Sequence, residues 1–176
     1  TDSKEYDGKA LTNGNVSVGG DGFAKGEGAA YDVTGTQTLT GTSANTFTYT
    51  LNEGTKAGNY TITTAEGTLT VSDREAKYTI KVVANSDSKK YDGQPMTVSG
   101  FKQTTFEVAG NSYTVEGLNA SVEAKNAGTY PVAVTGTPIV RDAAGNDVTN
   151  QFEVTCKPGT LSILPRLVTL TSATDS

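Results

Sequence analysis

The residue types that could do chemistry in this chain are few and scattered. Histidine is absent from the 176 residues, which removes Ser-His-Asp and Cys-His arrangements, imidazole zinc ligands and a proton shuttle for neutral pH. Paired carboxylates can hydrolyse glycosides, but the acids that stand out lie in turn-like stretches, where Asp usually accepts hydrogen bonds from the backbone: Asp7, Asp92, Asp142 and Asp147. We therefore predict no catalytic residues and no enzymatic activity, because a usable site needs polar groups that converge in a pocket.

A loop and a single cysteine are the other candidates. The loop 142–147 offers oxygen ligands, but it lacks the alternating spacing of a dedicated calcium site, and we predict a hairpin turn with no metal and no cofactor. Cys156 has no second cysteine to pair with. It is in phase with Phe152 and Val154 on an alternating run, so we predict that it faces inward as a small space-filling residue.

The charge balance limits the partners. The net charge is −5 and the isoelectric point is near 4.7, whereas nucleic acid and anionic lipid attract basic surfaces. No apolar run approaches the length of a membrane span. We predict no nucleic-acid partner and no membrane insertion.

The ten-residue stretch at 3–12 returns in similar form at 88–97, where seven positions are identical or exchange one long apolar side chain for another, and the second tyrosine follows the first at a period of 85 residues. A second echo links 67–71 with 159–163, and self-similarity at a fixed period is typical of a modular array. Asp-Gly is a tight-turn dipeptide. We interpret the repeated motif as a structural turn whose tyrosine plugs the end of a sandwich, formed by Tyr6, Asp7 and Gly8 in the first copy and by Tyr91, Asp92 and Gly93 in the second.

The elements around these motifs are predicted to be strands. The chain has 20 Gly, 8 Tyr and 5 Phe, and Thr alternates with apolar residues over 46–51, which places Phe47, Tyr49 and Leu51 on an inward face. A further strand is predicted at 60–62. About seven short strands per copy at regular spacing favour an all-β fold of two tandem Ig-like β-sandwich modules, in an elongated arrangement and without substantial helix.

The module boundaries follow from the repeat. We predict a first module at 1–76 that lacks its leading strand, and a second at 77–166 that begins with the strand Tyr78–Val82. Residues 167–176 are then the leading strand of a following module, in a chain cut from something longer. We expect this tail either to be unpaired or to pair with an open sheet edge of a neighbouring molecule.

The order of these motifs resembles that of the MBG ("mostly beta, glycine-rich") repeats. The resemblance lies in the Lys-x-Tyr-Asp-Gly turn at 4–8, the Thr-rich middle at 45–54 and the closing Gly67-Thr-Leu-Thr-Val71. Such modules occur in tandem in large surface proteins and adhesins of Gram-positive bacteria. The resemblance implies a secreted module at the cell surface or cell wall, with neighbouring repeats as partners and without a known catalytic site.

The resemblance also suggests a cross-link and a function. Stalk modules of Gram-positive bacteria sometimes carry an amide between Lys and Asn or Asp, and Lys4 and Lys89 are candidates because both precede the motif tyrosine, although a solvated lysine is favoured. The leading hypothesis is a structural spacer that presents a distal functional domain. The alternative is an adhesive module for host glycan or mucin. That alternative would need exposed aromatic residues, whereas most tyrosines lie on the apolar phase of their strands.

Overall fold

The computed structural model describes residues 1–174, and the chain divides into two compact units, Thr1–Ala76 and Lys77–Ser176. The longest helical pieces of the described residues are two single 3₁₀ turns, Ala57–Asn59 and Thr149–Gln151. The prediction of an all-β, β-sandwich-like fold without substantial helix is therefore confirmed. The finer assignment to two tandem Ig-like modules stays a prediction.

Unit 1 (Thr1–Ala76) contains two small sheets. Its strands are β1 Asp2–Glu5, β2 Ala29–Val33, β3 Gly41–Asn45, β4 Phe47–Leu51 and β5 Gly67–Ser72. In the first sheet β5 lies between β1, which is parallel to it, and β3, which is antiparallel. The second sheet is the antiparallel pair of β2 and β4.

Unit 2 (Lys77–Ser176) is more extensively paired. Its strands are β6 Tyr78–Val83, β7 Asp87–Lys90, β8 Met96–Ser99, β9 Thr105–Val108, β10 Asn111–Ala124, β11 Gly128–Val132, β12 Val134–Asp142, β13 Phe152–Lys157 and β14 Gly159–Leu164. The long strand β10 pairs with β8, β9 and β12, and β14 lies between β11 and β7. Two of the pairings, β7 with β14 and β6 with β13, are parallel.

The buried apolar side chains are unequally divided between the units. Among the described residues, unit 1 buries Tyr6, Leu11, Leu69 and Val71. Unit 2 buries a much larger set: Ile80, Val82, Ala84, Val98, Tyr113, Val115, Ala120, Val132, Val140, Val148, Phe152, Leu161 and Ile163. Because burial of apolar surface is the main term that favours folding, unit 1 has the weaker core.

Two sequence predictions about unit 1 are wrong. Tyr49 was expected to face inward from β4 but is 39% exposed. The strand expected at 60–62 is absent. Both errors concern a segment that the sequence does not show to be without a partner. An extended segment becomes a strand when another backbone pairs with it. The segment 60–64 has no such partner among the described residues.

A third prediction is also wrong: Cys156 is exposed and does not face inward. Burial decreases along β13 from Phe152, which is buried, through Val154, which is half-buried, to Cys156. β13 pairs with β6 alone, so the core that covers the start of the strand does not extend over its end.

The predicted tail strand has no regular structure in its described part. Residues 165–174 form neither helix nor strand, and the last two residues of the predicted 167–176 strand lie outside the described residues. Three apolar side chains of this tail are solvent-exposed: Leu167 by 92%, Val168 by 69% and Leu170 by 90%.

Candidate functional site

The Tyr-Asp-Gly motif of unit 1 forms a tight turn held by a lysine. Gly8 has φ +77°, a left-handed conformation that favours glycine. Asp7 Oδ1 accepts the backbone N–H of Lys9 at 2.9 Å, and the Lys4 ammonium donates to Asp7 Oδ1 at 2.7 Å and to the carbonyl of Lys9 at 2.8 Å. Tyr6 is buried, and its N–H donates to the last carbonyl of β5 at 2.9 Å.

Unit 2 repeats this geometry almost bond for bond. Gly93 has φ +80°, and Asp92 Oδ1 accepts the N–H of Gln94 at 2.9 Å. Lys89 donates to Asp92 Oδ1 at 2.7 Å and to the carbonyl of Gln94 at 2.9 Å. Tyr91 donates its N–H to the last carbonyl of β14 at 2.8 Å, but its side chain is only half-buried.

An arginine completes each turn, and the sequence interpretation missed this role. Arg74 Nη1 donates to the carbonyl of Tyr6 at 2.9 Å, and Arg166 Nη1 donates to the carbonyl of Tyr91 at 3.2 Å. The available signal was an arginine two residues after the repeated closing strand in both copies. We call each set of Lys, Tyr, Asp, Gly and Arg a turn clasp.

Electrostatics hold both clasps in their charged form. Partial burial alone raises the pKa of Asp7, but the hydrogen bonds from Lys4 and from the N–H of Lys9 outweigh it, and the pKa lies below its ordinary value. The pKa of Asp92 is likewise lowered, chiefly by the hydrogen bond from Lys89. An ammonium paired with a carboxylate is a poor nucleophile, so each lysine is engaged in an ion pair rather than poised for amide formation. The proposed cross-link stays a prediction.

The carboxylates of the second-unit loop also serve the backbone. Asp142 accepts the N–H groups of Ala144 at 3.0 Å and Asn146 at 2.8 Å. Asp147 accepts from the N–H and hydroxyl of Thr149, and the hydroxyl hydrogen bond is the main reason that the Asp147 pKa is lowered. Across residues 1–174, no three or more carboxylate or thiol side chains gather as a metal site.

A second feature is an open cleft in unit 1 with a volume of about 1000 Å³. It runs between the β2–β4 pair, the segment 60–65 and part of the glycine-rich loop, 15–23. Its lining is rich in aromatic side chains: Phe23, Tyr31, Phe47, Tyr49 and Tyr60. The sequence interpretation missed this cleft because it assigned the tyrosines to a closed core.

The aromatic side chains of the cleft are partly exposed. Tyr31 and Tyr49 are partners across β2 and β4 and are 38% and 39% exposed. Phe23 packs edge-on against Tyr60, with ring centroids 5.1 Å apart. Asn45 also lines the cleft; it is buried, and its Oδ1 accepts no hydrogen bond within the described residues.

Comparisons with known proteins identify no relative. No family model matches the chain, and neither a curated protein nor a solved structure is significantly similar to it. No helix of the described residues is long and apolar enough to cross a membrane. The resemblance to MBG repeats therefore stays a prediction.

The clasps predict a loss of stability in acid. A folded-state pKa below the ordinary value of 3.8 stabilises the fold above that pH, and the stabilisation is lost as the pH falls through the folded-state pKa. We expect the urea midpoint to fall as the pH drops below about 5, and the Asp7→Asn, Asp92→Asn double variant to show a smaller fall. Asn keeps the acceptor for the turn N–H but cannot pair with lysine.

The control is Asp21→Asn, which removes a charge from an exposed loop residue. At neutral pH we expect the Asp7→Asn change to cost at most about 1 kcal/mol, because the Lys4–Asp7 pair is partly solvated. Equal acid losses in the parent and in the double variant would contradict the role assigned to the clasps.

Proposed function

We propose that the chain is a non-catalytic structural spacer that carries tension within a bacterial cell-surface protein and holds another domain away from the cell. The supporting observation is that the strand just before each Tyr-Asp-Gly turn is parallel to the last strand of its unit. β1 is parallel to β5 from Asp2–Leu69 to Glu5–Ser72, and β7 is parallel to β14 from Asp87–Leu161 to Lys90–Leu164.

This arrangement determines how a pulling force acts on the hydrogen bonds. When a strand near the start of a unit is parallel to its last strand, pulling on the chain ends draws the two strands in opposite directions along their length. All the hydrogen bonds between them are then loaded at once, whereas strands pulled apart from the same end lose their bonds one after another. Each unit is therefore suited to end-to-end tension.

The turn clasps reinforce the same strand pairs. In unit 1 the turn that follows β1 is tied to the chain that follows β5 by the Arg74–Tyr6 bond, and unit 2 has the matching Arg166–Tyr91 bond. Each bond spans most of its unit in sequence, 68 and 75 residues respectively. The polar side chains of the motif are thus engaged in closing the fold.

Single-molecule pulling tests the proposal on unit 2. We expect a higher unfolding force with handles at Lys77→Cys and Leu167→Cys than with handles at Lys77→Cys and Ala144→Cys. The first pair of handles loads the parallel pairs β6–β13 and β7–β14 in shear, whereas the second pulls β6 and β13 apart from the same end. All handle positions are exposed.

Both variants carry Cys156→Ser, because the native thiol is exposed and would compete for the handles. The comparison keeps the core and the full chain constant and changes only the direction of force. Equal unfolding forces in the two directions would argue against the spacer proposal.

The exposed aromatic pair favours a second candidate, adhesion to host glycan or mucin. Tyr31 and Tyr49 offer two neighbouring rings in the cleft that Asn45 also lines, and sugar rings stack on such surfaces.

A glycan array with the full chain tests this candidate. If it is right, we expect glycan binding that is lost in Tyr31→Ala and Tyr49→Ala and kept in Tyr31→Phe and Tyr49→Phe, which retain the rings. Binding that is absent, or that is indifferent to these changes, would reject it.

A further inference from the structure

The strand β6 occupies a slot in unit 2 that has an empty counterpart in unit 1. Along one side β6 pairs in parallel with β13, from Tyr78–Phe152 to Val83–Lys157. Just past its end, Ala84 forms a bridge with Phe101. The inward side chains Ile80 and Val82 are 3% and 0% exposed, so β6 closes the core of unit 2.

The repeat identifies the corresponding residues of unit 1. Counting back from the shared glycines, Gly67 and Gly159, places 60–64 at the position of 152–156. The shared pattern Gly-x-x-Tyr-x-Val-x-Gly likewise places Tyr31 at the position of Tyr113. Counting on from the turn motifs places Val16 at the position of Phe101. All these unit 1 residues line the cleft.

Exposure shows that this slot is open in unit 1. Tyr113 is 1% exposed and packs edge-on against Phe152, with ring centroids 4.7 Å apart. Tyr31, its counterpart, is 38% exposed. The segment 60–64, which corresponds to most of β13, is not a strand. Within residues 1–174, no strand pairs with 60–64 to cover the slot.

We propose that the cleft of unit 1 is an acceptor for a β-strand, and that it takes the segment Leu167–Ser172 from a second copy of this chain, parallel to 60–64. This inference is independent of the tension-bearing role, because it concerns what fills the cleft and not how the units respond to force.

The tail carries apolar side chains at the same positions as the inward-facing side chains of β6. The chain ends on Thr174-Asp175-Ser176, the residues with which it begins, and Asp-Ser also begins β7. Counting back from these shared residues places Val168 and Leu170 at the positions of Ile80 and Val82. Both side chains are largely exposed, so insertion would move two solvated apolar groups into an open cleft that is lined in part by aromatic rings.

The tail segment and the cleft of unit 1 complement each other in their aromatic residues. In unit 2, β6 supplies Tyr78, whose ring lies 5.7 Å from that of Phe152. The tail has Arg166 at that position, but unit 1 already supplies a ring of its own, because Phe23 packs against Tyr60. The incoming strand therefore needs only its two aliphatic side chains.

The end of the slot is marked by the same glycine in both units. A Cβ on Gly159 would lie 1.9 Å from the carbonyl oxygen of Asn85, because the chain that leaves β6 passes directly over this glycine. In unit 1, a Cβ on Gly67 would meet the backbone nitrogen of Thr1 at 2.6 Å. The donor strand would thus end beside Thr1.

Peptide titration of a shortened chain tests the proposal. The chain 1–166 retains every described strand and the Arg166 contact, and the peptide is residues 167–174. We expect amide NMR shifts on adding the peptide to map to 60–64 and to β2, and Val168→Asp, Leu170→Asp in the peptide to weaken binding by about tenfold or more.

The matched control is a peptide with Leu167→Thr and Thr169→Lys, which reproduces the outward-facing Thr79 and Lys81 of β6 and should bind as well as the parent. In sedimentation, the full-length chain should self-associate with rising concentration and the chain 1–166 should not. Shifts that are absent, that map to unit 2 or that are equally weakened by both peptide variants would overturn the proposal.

Discussion

The pairing of β6 with β13 is the constraint that makes unit 2 differ from unit 1. A β-strand needs a partner for its backbone groups and a cover for its apolar face, and β6 provides both for the second unit. With β6 in place, Tyr113, Val140 and Phe152 are buried. Burial of Ile80 and Val82 alone is worth about 1.5–3 kcal/mol per side chain, a large share of the net stability of a small domain.

The turn clasps and the cleft represent two different uses of polar and aromatic side chains. In the clasps, Lys and Arg donate to backbone carbonyls, and Asp accepts a backbone N–H and pairs with Lys. The same bonds recur in both units within a few tenths of an ångström. In the cleft of unit 1, aromatic rings whose counterparts in unit 2 lie in the core remain partly exposed to solvent. The polar groups of the clasp are therefore already paired within the fold, whereas the aromatic rings of the cleft are still free to pack against another segment.

Local patterns were sufficient to predict much of this molecule. Asp-Gly predicted both turns, and alternation predicted β4 and β13, because turn geometry and strand phase are short-range properties. The burial of a side chain depends on which other segment packs against its face of the strand, and local sequence patterns do not predict that segment. Tyr49 and Cys156 therefore kept their predicted strands but not their predicted environment. The arginine of each clasp was missed because 68 or 75 residues separate it from the tyrosine that it contacts.

The most direct test of the account is to supply the missing strand within the chain. Residues 77–85 joined ahead of Thr1 reproduce the connection between β6 and β7, because Thr1 aligns with Ser86. The account predicts slowed amide exchange at 60–64 and a higher unfolding midpoint for unit 1, and neither effect when Ile80 and Val82 of the added segment are replaced by Asp. Unchanged exchange at 60–64 with the intact segment would contradict the claim that the cleft is an unfilled strand site.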